Sequence, residues 1–166
     1  MEKSSDFHIG EVGFGIGINF LTTCKSWLNF SRTDQVLEFY SFDKYLFQKN
    51  NFKEMLEINP ELMKYGSELE KNYPVNINGL QKISLFNGDL MEFDITKYDI
   101  IYISNLCFNH TFNINLSEKI DKEAKNYSLV FASQDIAFKR SVIKSSFSIN
   151  QSWGNNSQIF KYELIE

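Results

Sequence analysis

Residues 9–19 read IGEVGFGIGIN, with Gly13, Gly15 and Gly17 at alternate positions between a short apolar run and the helix-spaced stretch INFLTTCKSWL. Glycines can take unusual φ values and let another molecule touch the backbone, while a helix starting just beyond them offers free amides to a ligand. The spacing is GxGxG. It is neither GxGxxG nor GxxxxGK[ST], and no Walker lysine follows, so the patterns that grip a pyrophosphate or triphosphate are absent. Two acidic residues extend the set. Asp43 closes LEFYSFD at 37–43, where an acidic side chain can accept from ribose hydroxyls, and Asp89 closes NGD, where it can accept from an adenine amino group. Together they point to a nucleoside held without reliance on phosphate.

These residues need a scaffold that brings successive strand ends to one edge. FHIGEVG at 7–13, LEFYSFD at 37–43, KISLFNGD at 82–89, YDIIYIS at 98–104 and YSLVFAS at 127–133 read as strands, the fourth nearly all apolar, as buried parallel strands are. Helical spacing runs over 18–30, over 45–72 with a break at Asn59-Pro60, over 114–126, and more weakly over 135–145. FSINQSW and SQIFKYELI, around Gly154-Asn155-Asn156, read as a closing hairpin. The order predicts an α/β, Rossmann-like, doubly wound and mainly parallel sheet, with helices on both faces and a C-terminal antiparallel hairpin. In such a sheet the ligand sits beyond the carboxyl ends of the strands.

At 166 residues, with no internal repeat or linker, the chain reads as one domain spanning 1–166. A net charge of −4 and only two arginines, Arg32 and Arg140, leave no basic face for unaided nucleic-acid binding. Lys139, Arg140 and Lys144 form one modest basic cluster, expected on a solvated helix face. Cys24 and Cys107 show no ligand or disulfide spacing and are expected in the core; no metal site is predicted. No leader or membrane span is apparent, so a cytoplasmic, reducing location is expected.

The glycine turn with Asp43 and Asp89 resembles the class I S-adenosylmethionine-dependent methyltransferases, which have a seven-stranded sheet. IGEVGFGIGINFL, YSFDKY and INPELMKYGSELEKNYPVNINGLQKI, over about residues 7–90, resemble the methyltransferase domain that completes 5-methylaminomethyl-2-thiouridine at the tRNA wobble position. The resemblance implies S-adenosyl-L-methionine as cofactor, with Glu11, Gly13, Gly15 and Gly17 at its methionine part, Asp43 at the ribose and Asp89 at the adenine. It implies methylation of an amine on a macromolecule, tRNA in the first instance.

The second half departs from that branch. Where the tRNA enzymes carry Asp-Gly-Phe-x-Pro, this chain has YISNLCFN at 102–109. YDIIYISNLCF, SLVFASQDI and SWGNNSQIFKYEL resemble instead the non-SET histone-lysine methyltransferases, carried by Asn105, Phe108, Ser152 and Trp153. That likeness implies a protein-lysine acceptor as the alternative; a non-catalytic methyltransferase-like binding module is a third. Asn105 would orient the amine lone pair, and Tyr102 and Phe108, with Phe112 and Trp153, would wall a dry pocket favouring a neutral amine. His110 is a candidate proton relay. Only MEKSSD precedes the first strand, so a protein partner supplying N-terminal elements is a further expectation.

Overall fold

The computed structural model describes residues 6–30, 36–43, 49–64, 66, 76–77, 81–86, 90–92, 94–151 and 154–165. In chain order these form β1 (Phe7–Val12), α1 (Ile18–Phe30), β2 (Leu37–Phe42), α2 (Lys49–Ile58), β3 (Asn76–Ile77), β4 (Gln81–Phe86), β5 (Ile100–Ile103), α3 (His110–Glu123), β6 (Leu129–Ala132), β7 (Val142–Gln151) and β8 (Gly154–Leu164). Short 3-10 turns lie at Pro60–Leu62, Leu90–Glu92 and Asn105–Cys107.

All eight strands join one sheet in the order β3-β4-β2-β1-β5-β6-β8-β7. β1 pairs in parallel with β2 and β5, β2 with β4, and β5 with β6. β8 is antiparallel to β6 and β7, and β3 to β4. The sheet is therefore mixed and has eight strands among the described residues, where seven were expected. The added strand is β3, two residues long. Only residues 78–80 separate it from β4, too few for the crossover a parallel pair needs.

Register assigns the two faces. Gly10, Val12, Tyr40, Phe42, Ile101, Ile103, Val130, Ala132, Phe160 and Tyr162 are linked through paired positions and share one face. Val12, Phe42, Ile101 and Ile103 there pack with Leu116 and Ile120 of α3. On the opposite face Ile9 and Phe39 pack with Phe20, Leu21 and Cys24 of α1 and with Phe52 and Met55 of α2. The apolar stripe of each helix thus meets the apolar row of the strands it follows.

The predicted helix over 135–145 is not formed. Instead the segment after Ser133 runs as irregular coil with bends, burying Ile136 and setting the Phe138 ring 4.9 Å from Tyr162. Side chains satisfy its backbone in place of helical bonds: the Ile136 N–H donates to the Tyr162 hydroxyl (2.8 Å), and those of Lys139 and Arg140 donate to the Asp121 carboxylate (2.7 and 3.3 Å). β7 begins at once, at Val142. α3 starts at His110 rather than 114 because Asn109 caps it, its Oδ1 accepting from the Phe112 N–H at 2.8 Å. The break at Asn59-Pro60 is present: α2 stops at Ile58 and Pro60 opens a 3-10 turn. Cys24 is buried, whereas Cys107 is exposed because the turn after β5 carries it out of the core. Among the described residues, no helix is long and apolar enough to cross a membrane.

Candidate functional site

The parallel strands β1, β2, β5 and β6 all end at one edge, and the glycine turn springs from it. Its root is stitched between neighbours: the Gly13 N–H donates to Phe42 O at 2.9 Å, and the Ser104 N–H donates to Val12 O at 3.0 Å. Gly13, Gly15 and Gly17 have φ of +89°, +57° and +79°, the left-handed region that disfavours any side chain. Their surroundings differ. A Cβ on Gly17 would stand 2.8 Å from the Phe14 ring, so that glycine serves close packing at the start of α1, where its carbonyl accepts from the Leu21 N–H. Among the described residues, a Cβ on Gly15 would meet nothing within 4 Å. Gly15 therefore faces open space, and its N–H donates to Asp43 Oδ2 at 3.1 Å. Turn and carboxylate form one cradle that a molecule can reach.

Beneath the cradle lies Glu11, fully buried. Register sets it between Ser41 of β2 and Tyr102 of β5. Its Oε1 accepts from Asn19 Nδ2 at 2.8 Å and its Oε2 from the Ser41 hydroxyl at 2.9 Å. Burial raises its pKa to about 7, partly opposed by these two bonds, with the nearby Asp43 charge raising it further. Glu11 is thus poised to hold or release a proton near neutrality. Tyr102 lies within the influence of Glu11, Asn19 and Ser133, and desolvation holds its hydroxyl above the ordinary phenol range. Glu11, Asn19, Ser41, Tyr102 and Ser133 make a polar layer directly under the glycine turn.

Asn105 is also buried, but its amide is engaged. Its Oδ1 accepts from the Gln134 N–H at 2.8 Å, and its Nδ2 lies 3.4 Å from Gln134 O. This imitates a strand pair and ties the turn after β5 to the turn after β6. Phe108 is half-buried on the α3 side, its ring edge-on to Phe112 at 4.8 Å. His110 is exposed at the first turn of α3. Asp89, Ser152 and Trp153 lie outside the described residues. The structure thus gathers Glu11, Gly13, Gly15, Gly17, Asp43 and Tyr102, sets Asn105 in the adjoining turn, and holds Phe108 against the opposite core.

The basic cluster is engaged within the chain. Lys139 pairs with Glu118 and Lys144 with Asp135, each at 2.6 Å, while Arg140 bonds the carbonyls of Ala124 and Ile165. Among the described residues, no group of three or more His, Cys, Asp or Glu is placed to hold a metal ion. Sequence reading missed Asn19, Ser41, Ser133 and Gln134. Ser41 was open to discovery, since pairing the two strands by their glycine and aspartate ends sets it opposite Glu11; the others depend on tertiary approach.

No family model matches the chain. In sequence it is similar to the tRNA 5-methylaminomethyl-2-thiouridine biosynthesis bifunctional protein MnmC. The protein of that name from Legionella pneumophila (strain Corby) is 35% identical over 88 residues, 53% of this chain and 13% of its own length. The one from Marinobacter nauticus is 36% identical over 91 residues, 53% of this chain and 14% of its own. The chain spans about one seventh of the length of these relatives. In structure it is similar to MNMC2 from Aquifex aeolicus, with a TM-score of 0.58 and 17% identity over 96% of this chain and 53% of that one. The fold is that of the class I S-adenosylmethionine-dependent methyltransferases. A Salinibacter ruber RNA methyltransferase, solved in complex with S-adenosyl-L-homocysteine, agrees: TM-score 0.52 and 11% identity over 96% of this chain and 82% of that one.

Proposed function

We propose that the chain is an S-adenosylmethionine-dependent methyltransferase that methylates an amine nitrogen of a macromolecule, with wobble uridine of tRNA as the first candidate acceptor. The observation that carries this reading is the reachable cradle of Gly15 and Asp43 at the carboxyl edge of a methyltransferase fold. The MnmC-named relatives support the tRNA acceptor.

The residues fit this cofactor. Asp43 offers carboxylate oxygens suited to ribose hydroxyls, and the open side of Gly15 lets a ligand approach the backbone. The glycine turn lies above Glu11, whose carboxylate form would attract the cofactor's amino group. Asp89 is assigned to the adenine by its position in the sequence. When bound, the cofactor supplies a methyl on a sulfonium, open to in-line displacement by a neutral amine. The protein's part is alignment and exclusion of water. Tyr102 contributes a protonated hydroxyl from the half-buried layer, Asn105 fixes the turn that faces the acceptor, and Phe108 buttresses that turn. Residues 1–166 act together as one methyltransferase domain.

Titration calorimetry with S-adenosyl-L-homocysteine tests the cofactor; absence of binding at millimolar ligand, or binding untouched by Asp43→Ala, refutes it. Tritiated methyl transfer into total tRNA and total protein, followed by nuclease or protease, tests the acceptor. Label lost to nuclease supports tRNA. Label lost only to protease supports a lysine acceptor, the reading favoured by the internal neutralisation of Lys139 and Lys144. Binding without transfer to either identifies a non-catalytic module.

A further inference from the structure

β7 is the outermost strand of the sheet, and its far edge meets no other strand among the described residues. It runs for ten residues, roughly 33 Å of backbone donors and acceptors. Exposed edges are normally blunted by charge, proline or bulges. VIKSSFSINQ has no proline, its register irregularity falls near its end between Ile149 and Gln151, and its one charge, Lys144, is bound to Asp135 at 2.6 Å. Such an edge is a template for another strand.

Chemistry selects the occupant. From Ser145 to Phe160 the sequence SSFSINQSWGNNSQIF carries no charged side chain, in a chain that is 23% charged with a net charge of −4. A phosphate backbone would find no cation on this arm. Two copies of an acidic chain, by contrast, meet with least repulsion where both are uncharged. One face of the arm is also apolar: Ile143, Phe147 and Ile149 are 58%, 44% and 38% exposed, and the Phe147 ring lies 6.5 Å from that of Phe131.

From these features we infer that the chain forms a twofold homodimer by antiparallel pairing of β7 with β7 of a second copy. A twofold axis through Ser146 sets Ile143 of one copy opposite Ile149 of the other and Phe147 opposite Ser145, all on the same face. Lys144 then faces Ser148, so no like charges meet. The two sheets become one, and their apolar rows become a single stripe. This arrangement stands apart from the reaction proposed above.

Sedimentation velocity of the 166-residue chain over a wide concentration range reads the assembly directly. The wild type is expected to sediment as a dimer. The double substitution Phe147→Lys/Ile149→Lys should raise the dissociation constant by more than about tenfold, because it replaces the apolar stripe along the seam with charged side chains, the one at position 149 set against Ile143; Phe30→Lys, at the far end of α1, should leave it unchanged. In a Cys107→Ser background, Ser146→Cys is expected to form an intermolecular disulfide across the axis. The inference is overturned by a monomeric wild type, by a dimer that survives the double substitution, or by a Ser146→Cys dimer that does not cross-link. Should circular dichroism find the double variant unfolded, the cross-link alone decides.

Discussion

Glu11 gives the prediction with the most direct physical basis. It is fully buried, and its pKa is raised from 4.5 to about 7, chiefly by burial. A carboxyl whose folded pKa exceeds its unfolded value favours folding while protonated. That contribution is whole below the unfolded value and is lost as pH rises through the folded one. For values of 4.5 and about 7, stability falls by about 2.5 kcal/mol between pH 5 and pH 8, most of it between pH 5 and pH 7. Glu11→Gln keeps the shape, stays neutral at every pH, and can still meet Asn19 and Ser41. Urea unfolding of both proteins at pH 5 and pH 8 gives four free energies. The stability of the variant minus that of the wild type should be about 2.5 kcal/mol larger at pH 8 than at pH 5, since every other titrating group is common to both and cancels. An equal difference at the two pH values would refute the claim that Glu11 is protonated in the folded chain near neutrality.

Gly15→Ala, in a left-handed position with no neighbour within 4 Å among the described residues, should cost about 1–2 kcal/mol of stability in urea unfolding. Its loss of S-adenosyl-L-homocysteine affinity by calorimetry should be larger than that cost implies, because the added methyl occupies the open side. Asp43→Ala should weaken the same binding by about ten- to a hundredfold, the worth of charge-assisted hydrogen bonds, while far-UV circular dichroism stays that of the wild type. Asn105→Ala leaves the Gln134 N–H without its 2.8 Å acceptor in a part-buried turn and should lower stability by about 1 kcal/mol. If Asn105 served the acceptor alone, stability would stay level and only transfer would fall. Tyr162→Phe removes the hydroxyl that accepts from the Ile136 N–H and donates to Asp135, with a similar expected loss by thermal unfolding.

Much of the fold was legible because periodicity and glycine placement act locally. FHIGEVG and LEFYSFD became β1 and β2 almost to the residue, and INFLTTCKSWLNF became α1. The failures lie where tertiary partners replace local ones. Residues 135–141 carry helix-compatible spacing, yet the Asp121 carboxylate and the Tyr162 hydroxyl supply the bonds a helix would have made internally. Neither partner lies within a helical turn of the segment, so no window on the sequence contains the competing interaction. The same reason hid β3, whose two residues form a strand only through their pairing with β4.

The site divides along the same line. Gly13, Gly15 and Gly17 declare themselves because their left-handed backbone favours glycine, and Asp43 because it closes a strand beside them. Asn105 carried a pattern without its context: the sequence placed an amide at the right turn, but Gln134 lies 29 residues away and its backbone engages that amide first. A side chain with two good hydrogen-bonding ends is as able to close a fold as to hold a substrate, and the two uses differ only in what stands opposite. For Gly15 the ground is open among the described residues. For Asn105 it is already taken, so under the proposed function the polar contacts at that edge would come from Tyr102 and the layer around Glu11, with Asn105 acting through the turn it fixes.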